Sequence, residues 1–473
     1  MTTQNALGQP GRISHAPDGL VTAAARPPLA RKLGLFPATN IVVANMVGAG
    51  IFTTSGLLMQ QLGDPGLMLV LWIAGGVLAL SGALCYGELA AAMPKAGGEY
   101  AYLAELFHPL LGFLTGWVSF FVGFSAPLAA SSLGFSEYVG RALPQLMSGA
   151  DAVFTRKALA VLIITLLAAV HLRGVDFGAR VQNVLTVGKV VLIAGLIAVG
   201  FALGSGTLED LAAPAAATMR PVSWKSIGLS LMWIMFAYSG WNASAYVGSE
   251  IRDPERILPR SLLLGTGIVI LLYVGLNLLF VYAASPAELE GVIAVGGLAA
   301  SRLFGPTAET VISGLIAFAL LSSISALIML GPRVYYAMAK DGYFFKAVAD
   351  VHPVTRVPST SIVLQCLIAG VMVMSGTFDQ ILTYMGFCLG IFPIVAVIGL
   401  FRLRRAGPGP FRMPAFPLPP LLFAIASVVM LVLAFLERPM ESSIAIATVA
   451  AGVPFYFLFR RRAAAVRSGE PAR

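Results

Sequence analysis

The sequence predicts an all-α polytopic membrane protein with twelve transmembrane helices, arranged as two inverted five-helix repeats followed by two additional helices. Of the 473 residues, 58% are hydrophobic and only 11% are charged, whereas a soluble domain carries about 25% charged residues. Long apolar runs recur along the chain, each sufficient to cross the hydrocarbon core of a bilayer. Helix-breaking residues interrupt two of these runs, and they do so at corresponding positions of two halves.

The apolar runs and the segments between them divide the chain. The twelve predicted spans, numbered 1 to 12, cover residues 34–59, 66–93, 110–140, 154–172, 181–204, 225–250, 259–284, 306–338, 359–376, 379–401, 416–436 and 442–460. We expect a disordered cytoplasmic tail over 1–33, which is rich in Pro, Gly, Ala and Arg. The other predicted units are a first repeat over 34–205, an inverted repeat over 224–401, two additional helices over 416–460 and a cytoplasmic tail over 461–473.

The distribution of basic residues predicts the orientation. The net charge of +9 would suit nucleic acid binding in a soluble protein. Here most Lys and Arg residues fall in alternate loops, on the side that also holds the N-terminus. Such a bias marks the cytoplasmic side of a membrane protein. We therefore expect a multi-pass protein of the plasma (inner) membrane, with both termini in the cytoplasm and no nucleic acid partner.

The first predicted break lies in span 1, where Gly48-Ala49-Gly50 stands at the middle of the apolar run. Glycine weakens a helix by about 1 kcal/mol relative to alanine, so two glycines favour an interruption. In lipid the freed backbone groups need a cavity or a polar ligand. The N–H groups that begin the next half-helix suit a carboxylate. The alternative is that small residues only let two helices pack closely.

The second predicted break lies in span 6, where Ser239-Gly240 is followed by Trp241-Asn242. The two breaks lie five spans apart, in span 1 and span 6. Because five is odd, the second group of helices enters the membrane in the opposite orientation. Paired interruptions at corresponding positions of two halves indicate the binding site of an inverted-repeat transporter. Spans 1–5 and 6–10 are therefore the predicted repeats.

Four motifs together resemble the amino acid–polyamine–organocation transporter superfamily, whose members have the leucine-transporter-type fold. The motifs occupy residues 48–52, 88–100, 236–256 and 331–342. They occur in the family's order and at the matching spans. The Phe-Ala-Tyr-x-Gly-Trp form of the third motif is most similar to the L-type and related neutral amino acid branch.

The resemblance implies that N–H groups at the first break bind a substrate carboxylate, and that carbonyl groups at the second break bind its ammonium group. The implied substrate-binding residues are Val47, Gly48, Ala49, Gly50, Phe236, Ala237, Ser239, Gly240 and Trp241. By the same resemblance Phe236 is an outer gate; an ordinary packing role is the alternative. Many relatives carry Ser or Thr where this chain has Ala49, so one hydroxyl contact is absent here.

Lys189 lies deep inside span 5. A lysine at mid-span costs about 2.5–3.5 kcal/mol, so it is expected to face a cavity or carbonyl groups. The alternative is a lysine that reaches the inner interface. Sodium-coupled members of the fold hold a cation between span 1 and hydroxyl groups of span 8. The resemblance implies that Lys189 replaces this cation, pairing with carbonyl groups near Val47 and with Ser322 or Ser323.

Substrate class follows from an absence in the sequence. The expected pocket spans 1, 3, 6, 8 and 10 carry no acid at mid-membrane, which favours a neutral L-amino acid over a cation. A cationic amino acid or polyamine transporter of the same superfamily stays open as an alternative, because aromatic side chains also bind cations. A non-transporting amino acid receptor or scaffold is a further alternative.

Energy source and partners are also inferred from the sequence. It contains no phosphate-binding Gly-x-x-x-x-Gly-Lys motif and no catalytic constellation, so we expect a secondary transporter, an exchanger or proton symporter, rather than an enzyme. We expect no cofactor and no metal, because Cys85, Cys366 and Cys388 lack metal-ligand spacing. Some animal L-type relatives bind a glycoprotein through an external cysteine. Residues 141–156 contain none, so we expect a monomer or homodimer without that partner.

Segments at the two ends of the spans are candidate gates. On the inner side Glu88, Glu99 and Glu250 either form a gate with basic residues or are solvated flanks; the candidate partners are Arg252, Arg256 and Arg333. On the outer side residues 284–307 are expected to hold short helices over the mouth or to be a plain connector. Pro127 predicts a kink in span 3.

Overall fold

The computed structural model describes residues 31–146, 151–209, 222–292, 294–375 and 378–468, and every regular element within these ranges is a helix. The α-helices are α1 (Leu35–Met46), α2 (Ala49–Leu62), α3 (Pro65–Ala92), α4 (Glu99–Leu106), α5 (Pro109–Val118), α6 (Ala126–Ala142), α7 (Ala152–Leu172), α8 (Val175–Leu203), α9 (Trp224–Ala237), α10 (Ala243–Tyr246), α11 (Pro254–Ala283), α12 (Pro286–Leu289), α13 (Val295–Phe304), α14 (Pro306–Lys340), α15 (Ser359–Ser375), α16 (Phe378–Ala406), α17 (Leu418–Glu437) and α18 (Pro439–Ser468). Most of the predicted tail 1–33 and the end of the tail 461–473 lie outside the described residues.

The predicted class, an all-α polytopic membrane protein, is confirmed. Within the described ranges, ten segments are long and apolar enough to cross a membrane: Leu35–Leu62, Pro65–Ala92, Pro109–Ala142, Ala152–Leu172, Val175–Leu203, Pro254–Ala283, Pro306–Lys340, Met385–Ala406, Leu418–Glu437 and Pro439–Arg460. The other two predicted spans are also helical but shorter. Span 6 is represented by α9, with 14 residues, and span 9 by α15, with 17.

The chain leaves helical geometry at both predicted breaks. Helix α1 ends at Met46, and α2 begins at Ala49 after Gly48 has taken an extended conformation. Helix α9 ends at Ala237, and five residues in turn conformation precede α10. Gly240 has φ +101° in that turn, a conformation that favours glycine. The glycines therefore shape both breaks.

Span 3 is interrupted in the turn before the predicted kink. Residues Ser119–Ser125 form a π-helical segment between α5 and α6, and Pro127 is the second residue after it. Proline cannot donate a backbone hydrogen bond, and π-helical turns often lie at functional sites. The Ser125 hydroxyl donates to the Phe120 carbonyl at 2.6 Å, which satisfies one backbone acceptor of the widened turn.

Two short helices, α12 and α13, occupy the expected outer stretch 284–307. The Gly291 amide donates to the Gly56 carbonyl at 2.9 Å, so the stretch is held against the C-terminal half of α2. A side chain at Gly56 would overlap the Val292 carbonyl group. The stretch thus contacts the first broken span directly, whereas its predicted role as a lid stays a prediction.

At the opposite end, the segment before α1 is bound to the segment before α11. The Lys32 and Leu33 amides both donate to the Glu250 carbonyl at 2.9 Å, and the Arg252 amide donates to the Leu33 carbonyl at 2.9 Å. Lys32 also forms an ion pair with Asp176. We call these backbone contacts the N-terminal strap.

The three candidate gate acids are all buried, so their alternative reading as solvated flanks is wrong. Glu250 forms a two-bond ion pair with Arg333, at 2.9 and 3.2 Å, rather than with Arg252 or Arg256. Glu88 pairs with Arg404 of α16 at 2.6 Å. Glu99 has no basic partner within the described part of the chain, and its carboxyl group instead accepts from an amide in the second break.

Candidate functional site

A cavity of about 120 Å³ lies between the two breaks. It is smaller than the roughly 300–1,000 Å³ pockets that hold drug-sized ligands, so it suits a small molecule. All the predicted substrate-binding residues except Val47 line it: Gly48, Ala49, Gly50, Phe236, Ala237, Ser239, Gly240 and Trp241. The π-helical segment and α16 supply further walls, through Ser119, Gly123 and Cys388.

The two breaks contact each other directly. A Cβ atom at Gly50 would lie 2.8 Å from the Ala237 Cα atom, and one at Gly240 would lie 2.9 Å from the Asn45 carbonyl carbon. Glycine is therefore required at both positions for the backbones to approach this closely. Because Cβ atoms are absent, the peptide groups of both breaks border one cavity.

The first break presents N–H groups. Helix α2 begins at Ala49, and no side chain caps it because its N-cap residue is Gly48. The first N–H groups of a helix have no partner within the helix, and they lie at the positive end of its dipole. The first turn of α2 therefore offers donors to an anionic group in the cavity.

The second break presents carbonyl groups, of which those of Phe236, Ala237 and Gly240 already accept hydrogen bonds. The Phe236 carbonyl accepts from the Ser239 amide at 2.9 Å. The Tyr273 hydroxyl lies 2.9 Å from the Ala237 carbonyl oxygen and 2.6 Å from that of Met46. A hydroxyl donates to one acceptor at a time, and a carbonyl oxygen has two lone pairs. Capacity therefore remains for an ammonium group.

Lys189 lies outside the cavity lining, beneath the first break. Its Nζ atom donates to the Val47 carbonyl at 2.5 Å, to the Ala44 carbonyl at 3.2 Å and to the Ser323 hydroxyl at 2.8 Å. The side chain is fully buried, so the alternative reading of a lysine that reaches the interface is wrong. The three acceptors match the three N–H bonds of an ammonium group.

Of the two candidate serines, the structure brings Ser323 to Lys189 and directs Ser322 elsewhere. The Ser322 hydroxyl lies 3.0 Å from the Thr186 hydroxyl, and the Ser322 carbonyl accepts from Gln182 at 3.0 Å. Val47 likewise serves through its carbonyl group, toward Lys189 rather than toward the cavity. Ser323 both binds Lys189 and lines the cavity, so it joins the lysine site to the cavity wall.

Comparison with known sequences decides the family. The family model described as amino acid permease matches residues 33–456. The chain belongs to the amino acid permease family. This confirms the resemblance to the amino acid–polyamine–organocation superfamily that the four motifs indicate.

Three relatives of this permease are transporters by name. It is 30% identical over 440 residues to the mouse Asc-type amino acid transporter 1, covering 92% of the permease and 82% of the relative. It is 28% identical over 445 residues to the serine/threonine exchanger SteT of Bacillus subtilis, covering 92% and 98%. It is 30% identical over 440 residues to the mouse large neutral amino acids transporter small subunit 2, covering 91% and 81%.

The sequence reasoning missed several residues of the permease cavity. Asn45, Asn242 and Tyr246 line it, and Tyr273 joins the two breaks from α11. Asn242 stands within the third motif and Asn45 stands three residues before Gly48, which was an available signal. Tyr273 carried a weaker signal, namely a hydroxyl group in an apolar span that needs a buried partner.

The cavity also contains an acid that the span-by-span reasoning did not place there. Glu99 of the loop helix α4 lines it, although spans 1, 3, 6, 8 and 10 contribute none of their own. The absence of a mid-membrane acid from those spans therefore does not extend to the cavity as a whole, because a loop between two spans reaches the binding region.

Proposed function

We propose that this permease is a sodium-independent secondary transporter that moves neutral L-amino acids across the membrane by alternating access, as an exchanger or a proton symporter. The observation that carries the proposal is one small cavity bordered by two helix breaks of opposite polarity. The names of three relatives, which include neutral amino acids, serine and threonine, support this substrate class.

In this proposal the substrate's carboxylate binds the N–H groups of Ala49 and Gly50 at the start of α2. Its ammonium group binds carbonyl oxygens of the second break, near Phe236 and Ser239. These backbone groups recognise what all amino acids share. Side chains along the wall, including Ser119 and Asn45, then face the variable part of the substrate.

Lys189 supports sodium independence. A buried cation already occupies the space beneath the first break, where it satisfies the Ala44 and Val47 carbonyl groups. A sodium ion at this position would face a like charge at short range, which is unfavourable. The proposed role of Lys189 and Ser323 is to replace that ion.

For the whole chain we propose twelve spans, with repeats over 34–205 and 224–401 and two additional helices over 416–460. The broken α9–α10 pair and the 17-residue α15 would complete the count. The bias in Lys and Arg supports both termini in the cytoplasm of the plasma (inner) membrane. We further propose a monomer or homodimer without a glycoprotein subunit, and no catalytic activity; residues 147–150 of the cysteine-free loop lie outside the described residues.

Counterflow in proteoliposomes tests the proposal. Liposomes loaded with unlabelled L-serine, L-leucine or L-arginine are diluted into the labelled form of the same amino acid, in sodium or in choline buffer. We expect accumulation of serine or leucine that is the same in both buffers, and none in protein-free liposomes. Strict sodium dependence would contradict sodium independence, and a complete lack of counterflow would favour a receptor or scaffold.

The labelled arginine distinguishes the second candidate function. Glu99 gives the cavity one carboxyl group, which is what a cationic amino acid or polyamine would use. Counterflow of arginine in preference to serine and leucine would support that alternative. The relatives named above favour the neutral class.

A further inference from the structure

Glu99 is a buried acid in the cavity wall, and no basic group of the described residues pairs with it. It is 5% exposed, and it lies at the start of α4, outside the membrane-spanning segments. Two basic groups of neighbouring helices, Arg333 of α14 and Arg404 of α16, are bound to Glu250 and Glu88, and Arg402 of α16 donates to the Leu106 carbonyl at the far end of α4. A buried carboxylate without a counter-ion is costly, so such a group tends to bind a proton.

The carboxyl group is connected to the second break. The Asn242 amide donates to Glu99 Oε1 at 2.7 Å and lies 3.2 Å from the Tyr246 hydroxyl. Asn242 directly precedes α10, at the end of the turn that separates the two halves of span 6. A change of charge on Glu99 therefore acts on the element that holds the substrate's ammonium group in the proposed function.

The titratable groups that face Glu99 are hydroxyl groups. They belong to Tyr86 of α3, Tyr102 of α4 and Tyr246 of α10. Burial raises the pKa of Glu99 from 4.5 to about 7, while the facing hydroxyl groups of Tyr86 and Tyr246 and the Asn242 amide act in the opposite direction. The acid is thus half protonated near neutral pH, protonated below it and charged above it.

We propose that Glu99 is a proton-binding site of this permease, and that its protonation accelerates the conformational step of transport. The inference rests on the proposed function and adds its regulation by pH. When the cavity closes around a substrate, water leaves and the charged carboxylate loses the solvation that it still has, which is unfavourable. The protonated form avoids that cost, and it also weakens the charge-assisted bond from Asn242.

The test is counterflow of labelled L-serine, or of L-leucine where that gives the higher rate, with the same pH on both sides of the membrane. We expect the wild-type rate to fall as pH rises from about 5.5 to 8.5, with a midpoint near 7 and a slope of at most about tenfold per pH unit. In Glu99→Gln, which stays uncharged, we expect a flat profile. Glu105→Gln is the matched control, because Glu105 is an exposed acid of the same helix, paired with Lys95.

A second variant predicts the direction in which the midpoint of the pH profile moves. Tyr86→Phe keeps the ring that packs on Trp241 and removes the hydroxyl that faces Glu99. The charged carboxylate loses that stabilisation, so we expect the midpoint to move to higher pH. A merely structural role for Glu99 would change the rate in this variant without moving the midpoint.

Protonation of Glu99 can also be measured without transport. The inference can therefore still be tested if the Glu99→Gln protein does not transport the substrate. Infrared difference spectra of the purified permease between pH 5.5 and 8.5 should contain a carboxyl band that Glu99→Gln loses and Glu105→Gln keeps. An identical band in all three proteins would overturn the inference, as would the wild-type pH profile in Glu99→Gln.

Two other outcomes separate the inference from the proposed function. If wild-type protein shows no counterflow at any pH, the proposed function fails, whereas the infrared titration still decides whether Glu99 binds a proton. If L-arginine competes with serine in wild-type protein at pH 8.5 but not in Glu99→Gln, then Glu99 is a substrate site, and the regulatory role is overturned.

Discussion

The two helix breaks are held in different ways, and the difference separates a fixed site from a switchable one. The first break is held by Lys189 and Ser323, both buried, which satisfy its carbonyl groups. The second is held by Asn242, whose amide donates to Glu99, an acid with no counter-ion in the described part of the chain. The Lys189 ammonium group has an acceptor for each of its three N–H bonds, whereas the Glu99 carboxyl group is bound by the Asn242 amide without a basic partner among the described residues. We therefore expect the first break to set geometry and the second to respond to pH.

The largest effect should come from removing the fixed charge. Lys189→Met removes the ammonium donor from the buried Ala44 and Val47 carbonyl groups, at about 1–3 kcal/mol each, and leaves the Val47 carbonyl with the Ser323 hydroxyl as its donor. We expect serine counterflow to fall at least about 100-fold, because about 1.4 kcal/mol changes a rate tenfold. Lys157→Met is the control, since Lys157 donates to the Met374 carbonyl at an exposed site and should tolerate the change. A wild-type rate in Lys189→Met would show that the first break needs no cation.

Forcing the two breaks apart should have the next largest effect. In Gly50→Ala the new Cβ atom meets the Ala237 backbone, so overpacking costs about 1–3 kcal/mol even though alanine favours a helix by about 1 kcal/mol. We expect roughly tenfold slower counterflow and a lower unfolding temperature. Gly195→Ala, whose Cβ atom would have nothing within 4 Å, should match or slightly exceed the wild-type stability. Equal behaviour of the two variants would contradict the close approach of the breaks.

Removing the Tyr273 hydroxyl, which links the two breaks, should have a smaller effect than the two changes above. Tyr273→Phe removes the hydroxyl that lies between the Met46 and Ala237 carbonyl groups, with an expected loss of about 1–2 kcal/mol. Tyr282→Phe, on the same helix, removes a hydroxyl that donates to the Gly204 carbonyl away from the cavity. Counterflow and thermal unfolding together decide the outcome: both variants should lose some stability, but only Tyr273→Phe should slow transport, and by less than Gly50→Ala does.

The smallest expected effect on transport is the one that distinguishes the two adjacent serines, Ser322 and Ser323. Ser323→Ala removes a hydroxyl that binds both Lys189 and the Val47 carbonyl, at about 0.5–1.5 kcal/mol. Ser322→Ala removes one that binds Thr186 instead. We expect up to about tenfold slower counterflow for Ser323→Ala and little change in transport for Ser322→Ala. The reverse order would mean that the lysine site is organised around the other serine.

The sequence was sufficient to predict the two helix breaks, but not to predict which side chains hold them in place. Gly48, Gly50 and Gly240 carry a local physical signal, because glycine in an apolar run weakens a helix wherever the chain goes. The choice between Ser322 and Ser323 has no such signal. Neighbouring residues on a helix of 3.6 residues per turn differ by about 100°, and only the packed structure fixes which one faces Lys189.

Contacts between distant segments were likewise outside the reach of the sequence. The Asn242 amide and Glu99 are 143 residues apart, and the Tyr273 hydroxyl reaches Met46 across 227 residues. The sequence neighbourhoods of Glu99 and Tyr273 do not indicate these contacts, since the loop motif that contains Glu99 is typical of a membrane flank and Tyr273 lies in an uninterrupted apolar span. Only the path of α4 beneath the second break makes Glu99 part of the cavity.

Hydrogen exchange at the N-terminal strap would report the relative motion of the two broken helices. The three backbone bonds of the strap join the residues that lead into α1 with those that follow span 6, so displacement of either broken helix relative to the other must open them. The amide hydrogens of Lys32, Leu33 and Arg252 would then exchange with deuterium faster. Labelling kinetics at these three positions would report each opening without any chromophore or engineered cysteine.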